Sequence, residues 1–527
     1  SEVYDFVPGG GSPVARDVVR TASCNKCHDQ LAFHGGSRRG MELCVMCHQP
    51  QTTDPDTGNT VDMKVFAHKV HMGSQLPSVK AGTPYQIIGF NNSVADYSTV
   101  NLPSNPLRCT ECHEDKKVTG AAQSDAWLKN PNRAACGACH DDVNFATGKN
   151  HVNLPQVDDK QCATCHIPQG ELEFDASIIG AHTVPTESLT RPGLVFTLAK
   201  VDNGLAGRTP TVTFTSKDYA DNAVPMSALS SISLVMAGPT SDFGYTNFGA
   251  GVTTPGYVSE SALTAAKCDA GGTCTYTFTH AIPADAKGSF AIGIEGRRSI
   301  TLLPGTEKQQ TTQYGAINKV IYFSVDGSKV SARRHVVDTA KCNGCHVSLS
   351  LHGENRNQVE QCVLCHNPSQ NDASRRPTAV VASDRTEPNQ SVNFALMIHK
   401  IHTGEKMATE FNRTYTIVGF GGSHNDFTEV RYPVMGPTGA VGDTAKCDMC
   451  HVNNSEANFP IGKNAVLDTQ GPISPVPATT SACTACHQNI SALAHAVSQT
   501  DAKFGESCDV CHAKGADFDV AKMHAGK

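Results

Sequence analysis

Apolar and polar residues alternate with period two in the middle of the chain. The pattern appears in Gly193-Leu-Val-Phe-Thr-Leu198, Thr211-Val-Thr-Phe-Thr215, Ser231-Ile-Ser-Leu-Val235, Cys274-Thr-Tyr-Thr-Phe278 and Val320-Ile-Tyr-Phe-Ser-Val325. Bounded by Gly, Pro, Asp and Asn, these runs predict short strands of a sandwich or barrel. Helical character shows elsewhere, around His68-Lys-Val-His71 and His399-Lys-Ile-His402, where i,i+3 spacing puts two imidazoles on one face. No run of 18 apolar residues occurs, so no transmembrane helix is expected. The rest of the chain predicts short helices and long loops.

At 527 residues the chain is too long for one core, yet only 39% of it is hydrophobic, with 45 glycines and 28 prolines. Something other than side chains must fill the interior. Twenty of the 22 cysteines fall in ten C-x-x-C-H motifs. The cysteines are Cys24 and Cys27, Cys44 and Cys47, Cys109 and Cys112, Cys136 and Cys139, Cys162 and Cys165, Cys342 and Cys345, Cys362 and Cys365, Cys447 and Cys450, Cys483 and Cys486, Cys508 and Cys511. The histidines that follow are His28, His48, His113, His140, His166, His346, His366, His451, His487 and His512.

This spacing suits covalent haem. Two thiols add to the two vinyl groups while the next imidazole reaches the iron from the proximal side. Zinc is the rival, since C-x-x-C pairs can combine into tetrahedral sites. Zinc needs no histidine after every pair, and with 23 histidines in 527 residues ten coincidences have a chance on the order of 10⁻¹⁴. Disulfide pairing within the motifs fails on the same ground. The formal charge is −7. Ten ferric haems with ionised propionates would take it to about −17, which disfavours nucleic acid as a partner.

Thirteen histidines remain, enough to give every iron a second imidazole. Internal repetition selects among them. Residues 24–50 and 342–368 share the frame C-N-x-C-H-x-x-L-x-x-H-G-x-x-R-x-x-x-E-x-C-V-x-C-H-x-P without a gap. His34 and His352 occupy matching places, as do His68 with His399 and His71 with His402, followed by Tyr85-Gln-Ile-Ile-Gly-Phe90 and Tyr415-Thr-Ile-Val-Gly-Phe420. By order and spacing, His151 corresponds to His495 and His182 to His524. These ten are the distal-ligand candidates. His280, His335 and His424 are read as ordinary histidines.

Two five-motif modules, 1–186 and 335–527, therefore flank a strand domain at 187–334. The expected fold is two mostly irregular, short-helix pentahaem domains around an all-β, Greek-key or split-barrel-like domain. Cys268 and Cys274, in the strand domain, read as a disulfide closing a small loop, with a free reactive pair as the alternative. The acidic loop Asp54-Pro-Asp-Thr-Gly-Asn59 reads as a turn, with oxygen ligation of calcium as the other possibility.

Ten motifs in two groups of five, around a haem-free strand domain with a close cysteine pair, resemble the outer-membrane decahaem cytochromes of the OmcA/MtrC family. The resemblance implies a staggered cross of haems. The fifth and tenth motifs would end the long wire, the second and seventh the short arm, and the first and sixth would meet at the crossing. It also implies an exported protein of a Gram-negative-type bacterium, secreted or on the extracellular face of the outer membrane. Electrons would arrive from an outer-membrane donor complex or other multihaem cytochromes. They would leave to ferric or manganic minerals, metal chelates or flavins, the last bound transiently.

Only 23 residues precede Cys24, so the family's first strand domain and lipidated cysteine are not expected within this sequence. Any export signal would lie ahead of Ser1. The leading function is an electron carrier, any metal reduction being outer-sphere transfer at exposed haem edges. The alternatives are a multihaem reductase with one open iron and a subunit of a conductive filament, to which His524 would contribute by reaching a neighbouring chain.

Overall fold

The computed structural model describes residues 2–249, 256–459 and 461–525. In the first module regular structure is sparse and local. Helix Thr21–His28 carries the first motif, and helix Met41–Cys44 ends on the first cysteine of the second. Helix Met63–Met72 starts where Asp62 accepts from the amide of Lys64 and stops at Gly73 with φ 42°. Such N-caps satisfy amides that a short helix leaves orphaned. A two-stranded hairpin follows, β1 (Gln86–Ile88) against β2 (Val94–Asp96).

The strand domain is two antiparallel sheets facing each other. Strands β3 (Val195–Asp202), β4 (Thr211–Lys217), β7 (Lys267–Cys268) and β8 (Thr273–Thr277) form one in the order β3-β4-β8-β7. The other comprises β5 (Ser231–Ala237), β6 (Val258–Ser261), β9 (Ser289–Leu302), β10 (Gln310–Gly315) and β11 (Lys319–Ser324), ordered β10-β9-β5-β6 with β11 also on β9. Inward residues such as Phe196, Phe214, Leu234, Phe290 and Ile292 make the largest apolar core among the described residues. Each predicted strand is present, and Cys268 and Cys274 are disulfide-bonded at paired positions of β7 and β8.

The pattern missed β9, the longest strand. Residues 289–296 are buried on both faces and so do not alternate. One face meets the opposite sheet. The other meets helix Val359–Cys365 of the second module, where Val359, Val363 and Leu364 pack with Val235, Ala237 and Ala291. Gly293 makes this approach possible, because a Cβ there would collide with Gln361 Oε1 and Leu364 Cδ1.

The second module repeats the first. Helix Thr339–His346 is capped by Asp338, helix Phe394–His402 by Asn393, and the hairpin of β12 (Thr416–Val418) and β13 (His424–Asp426) matches β1–β2. Asp54 accepts from the amide of Ile88 at 2.8 Å, and its repeat counterpart Asp372 accepts from that of Val418 at 3.0 Å. A buried carboxylate thus pins the hairpin in both copies. Asp54 also accepts from the amide of Asp56 and from the hydroxyl of Thr57, closing its loop as a turn.

Candidate haem-ligand pairs

Each motif histidine faces a second imidazole. In the first module the ring centroids are 6.2 Å apart for His28 and His71, His48 and His34, and His113 and His68. They are 6.3 Å apart for His140 and His182, and 6.1 Å for His166 and His151. In the second module the separations are 6.3 Å for His346 and His402, 6.0 Å for His366 and His352, and 6.2 Å for His451 and His399. His487 and His524 stand 6.0 Å apart, His512 and His495 6.2 Å. Two imidazoles bound through nitrogen to one metal at about 2 Å need centroids about 6 Å apart. The residues therefore fit an iron between each pair, and all twenty line a cavity of about 5740 Å³.

Local structure explains how these rings are aimed. His68 and His71 share helix Met63–Met72 yet face the third and first motifs, and His399 and His402 repeat this toward the eighth and sixth. His71, His402, His182 and His524 each use Nδ1 to reach the carbonyl four residues back, at 2.7–2.9 Å. His34 and His352 sit at φ 53° and 54°, inside loops closed by the bridges Phe33–Arg38 and Leu351–Arg356. That left-handed conformation is uncommon outside glycine and occurs here at the same place in both copies.

Hydrogen bonding favours the ligating tautomer. His48 Nδ1 meets Val61 O at 2.9 Å, His366 Nδ1 meets Val392 O at 2.8 Å, and His166 and His512 likewise find carbonyls at 3.0 Å. A carbonyl accepts only, so each Nδ1 carries the proton and Nε2 keeps its lone pair for a metal. Burial pushes His28, His113 and His399 down to about 4, which keeps these rings neutral at neutral pH. Among the described residues no group of three or more His, Cys, Asp or Glu is placed to hold a metal ion.

Spacing alone does not give the partners at the end of each module. His151 follows the fourth motif but faces the fifth, and His182 faces the fourth; His495 and His524 cross in the same way. The three leftover histidines stand apart from these pairs. His280 Nδ1 meets Glu260 at 2.6 Å, His424 Nδ1 meets Asp384 at 2.7 Å, and His335 Nε2 lies 4.0 Å from Asp338.

Residues 16–177 and 334–525 match the sequence family described as outer membrane cytochrome MtrC/MtrF-like, domains II/IV. The chain belongs to this family. Multiheme cytochrome MtrC of Shewanella baltica (strain OS185) is 23% identical over 521 residues, covering 91% of this chain and 70% of that protein. The crystal structure of the outer membrane decaheme cytochrome OmcA superposes with a TM-score of 0.63 at 20% identity, over 97% of this chain and 75% of that one. MtrC from Shewanella baltica OS185 gives 0.61 at 19%, over 96% and 76%. Those structural likenesses establish the fold. Family membership makes the chain a multihaem c-type cytochrome of electron transport, with the outer membrane as its setting. No helix among the described residues is long and apolar enough to cross a membrane.

Proposed function

We propose that the chain carries ten haem c groups, each tethered by the two cysteines of one motif and held between its motif histidine and the imidazole facing it. When bound, the haems supply reversible one-electron couples. The chain's own residues then do three things. They would tether each haem through two thiols, offer it an imidazole on either side, and shield part of it from solvent. The observation that carries this reading is that every motif histidine has a facing imidazole at 6.0–6.3 Å.

Held by two imidazoles, each iron would lack the open position that bond-breaking chemistry requires, which weighs against a reductase. His524, the residue that a filament would lend to a neighbour, faces His487 of its own chain, which favours a discrete carrier. The first and sixth motifs lie side by side: Cys27 Sγ is 3.8 Å from Gly344 O, and Cys345 Sγ is 3.8 Å from Lys26 O. That contact supports a route from module to module, with the fifth and tenth motifs at its far ends and the second and seventh on the short arm. The proposed partners are an outer-membrane donor complex or other multihaem cytochromes upstream. Minerals, metal chelates or flavins at the extracellular face are the acceptors.

A pyridine haemochrome assay of purified protein should give ten haems per chain, and ferric spectra should be low-spin throughout. Rapid stoichiometric binding of carbon monoxide by the reduced protein, or a high-spin ferric fraction, would shift the assignment to the reductase.

A further inference from the structure

Two motif histidines take their Nδ1 acceptor from the opposite module. His28, in the first module, reaches Pro433 O of the second at 2.8 Å. His346, in the second, reaches Pro103 O of the first at 3.2 Å. Pro103 and Pro433 are counterparts in the repeat, each eighteen positions after the tyrosine that opens the hairpin segment, Tyr85 or Tyr415. The contact is therefore a reciprocal exchange of the kind that a two-fold interface makes, here within one chain. The second, fifth, seventh and tenth motif histidines find their carbonyls within their own modules, at Val61, Ala176, Val392 and Phe518.

The segment after Pro433 is eight residues longer than its first-module counterpart before the next motif begins. It clamps the first module. The amide of Met435 donates to His28 O at 3.2 Å, and Lys446 Nζ pairs with Asp29 Oδ2 at 2.9 Å. Gly439, at φ 79°, passes so close to the first module that a Cβ would collide with Ala32 O and press on Gly36 N.

We propose that the carbonyls of Pro433 and Pro103 are positioning groups for His28 and His346. The docking of one module on the other then sets the tautomer and donor strength of the ligands at the first and sixth haems. An imidazole whose Nδ1–H donates to a carbonyl is the stronger donor to iron and favours the ferric state. Loosening the clamp should raise the potential of the site involved. The proposal rests on the ligand pairing given above.

The test is an EPR-monitored potentiometric titration of the intact holoprotein. His71→Met replaces the imidazole facing His28 and should drive one step to higher potential, because methionine–histidine ligation raises it; that step labels the first haem. Gly439→Val forces the clamp off the first module and should move the same step upward, leaving the rest in place. Lys446→Gln, at the surface of the same contact, should move it less while leaving the backbone intact. No shift in either clamp variant, a downward shift, or movement of a different step would overturn the positioning role. If His71→Met itself leaves every step and spectrum unchanged, the ligand pairing fails instead.

Discussion

The second motif of each module occupies the same place in a gap-free repeat but lives in a different environment. Val363 and Leu364, inside the seventh motif, are 4% and 0% exposed; their counterparts Val45 and Met46, inside the second, are 44% and 55% exposed. Neighbouring positions carry Val359 and Gln361 in one copy, Met41 and Leu43 in the other. The attachment chemistry is the same, so the contrast comes from the wall. The sheet of β5, β9 and β11 covers helix Val359–Cys365, and no corresponding sheet covers Met41–Cys44 among the described residues. The repeat thus sets the motif, and the sheet of the strand domain sets which copy of it is shielded from solvent.

The strongest way to break this contrast is at Glu295 of β9. It is 2% exposed and receives Arg356 Nε at 2.7 Å, Arg356 Nη2 at 2.9 Å, Gln361 Nε2 at 3.0 Å and Asn355 Nδ2 at 3.2 Å. Glu295→Ala would strand a largely buried guanidinium between sheet and module, at a cost of about 3–5 kcal/mol. Arg38, the first-module counterpart of Arg356, is exposed. Arg38→Ala should change stability by less than about 0.5 kcal/mol. Thermal unfolding of the two holoprotein variants checks both, and equal losses would show that the wall does not distinguish the copies.

A smaller effect follows inside the motifs themselves. Leu364→Ala removes a side chain from the cluster between sheet and helix and should cost about 2–5 kcal/mol. Met46→Ala, at the matching position, should cost less than about 0.5 kcal/mol. Both substitutions lie between the two cysteines of a motif, so any penalty on haem attachment is shared and cancels in the comparison. Chemical denaturation with haem content measured in parallel would separate the two contributions.

The motif histidines stand out in the sequence because five contiguous residues carry the whole motif; a gap-free repeat matches His34 with His352, and the order of the repeat matches His68 and His71 with His399 and His402. The partners of His151 and His182 do not stand out, since order along the chain does not say which way a loop folds back. The Pro103 and Pro433 carbonyls left no compositional signal, because every residue has a carbonyl; only the matching positions in the repeat point to them. Strand β9 was invisible for a related reason. Residues 289–296 have no solvent face, and alternation marks only strands that have one. Residues 54–59 close as a turn on Asp54, which accepts from the amides of Ile88 and Asp56 and from the hydroxyl of Thr57.

Asp54 supplies the smallest and most selective difference between the modules. Its carboxyl is held down to about 2, chiefly by the amide of Ile88 and then the hydroxyl of Thr57, both of which favour the ionised form over the cost of burial. Its counterpart Asp372 pins the other hairpin with Arg376 added at 3.0 Å. A carboxyl whose folded value lies below the unfolded one, about 3.9, contributes stability that is full above that value and is lost as pH falls toward 2. Asp54→Asn should therefore lower the melting temperature by a constant amount above about pH 4, and the gap from wild type should close as the pH approaches 2. Melting curves taken at intervals between pH 5 and pH 2 would show it. A gap that persists undiminished at pH 2 would mean that the hairpin is held by the shape of the side chain and not by its charge, and the first module would then owe nothing to ionisation at this turn.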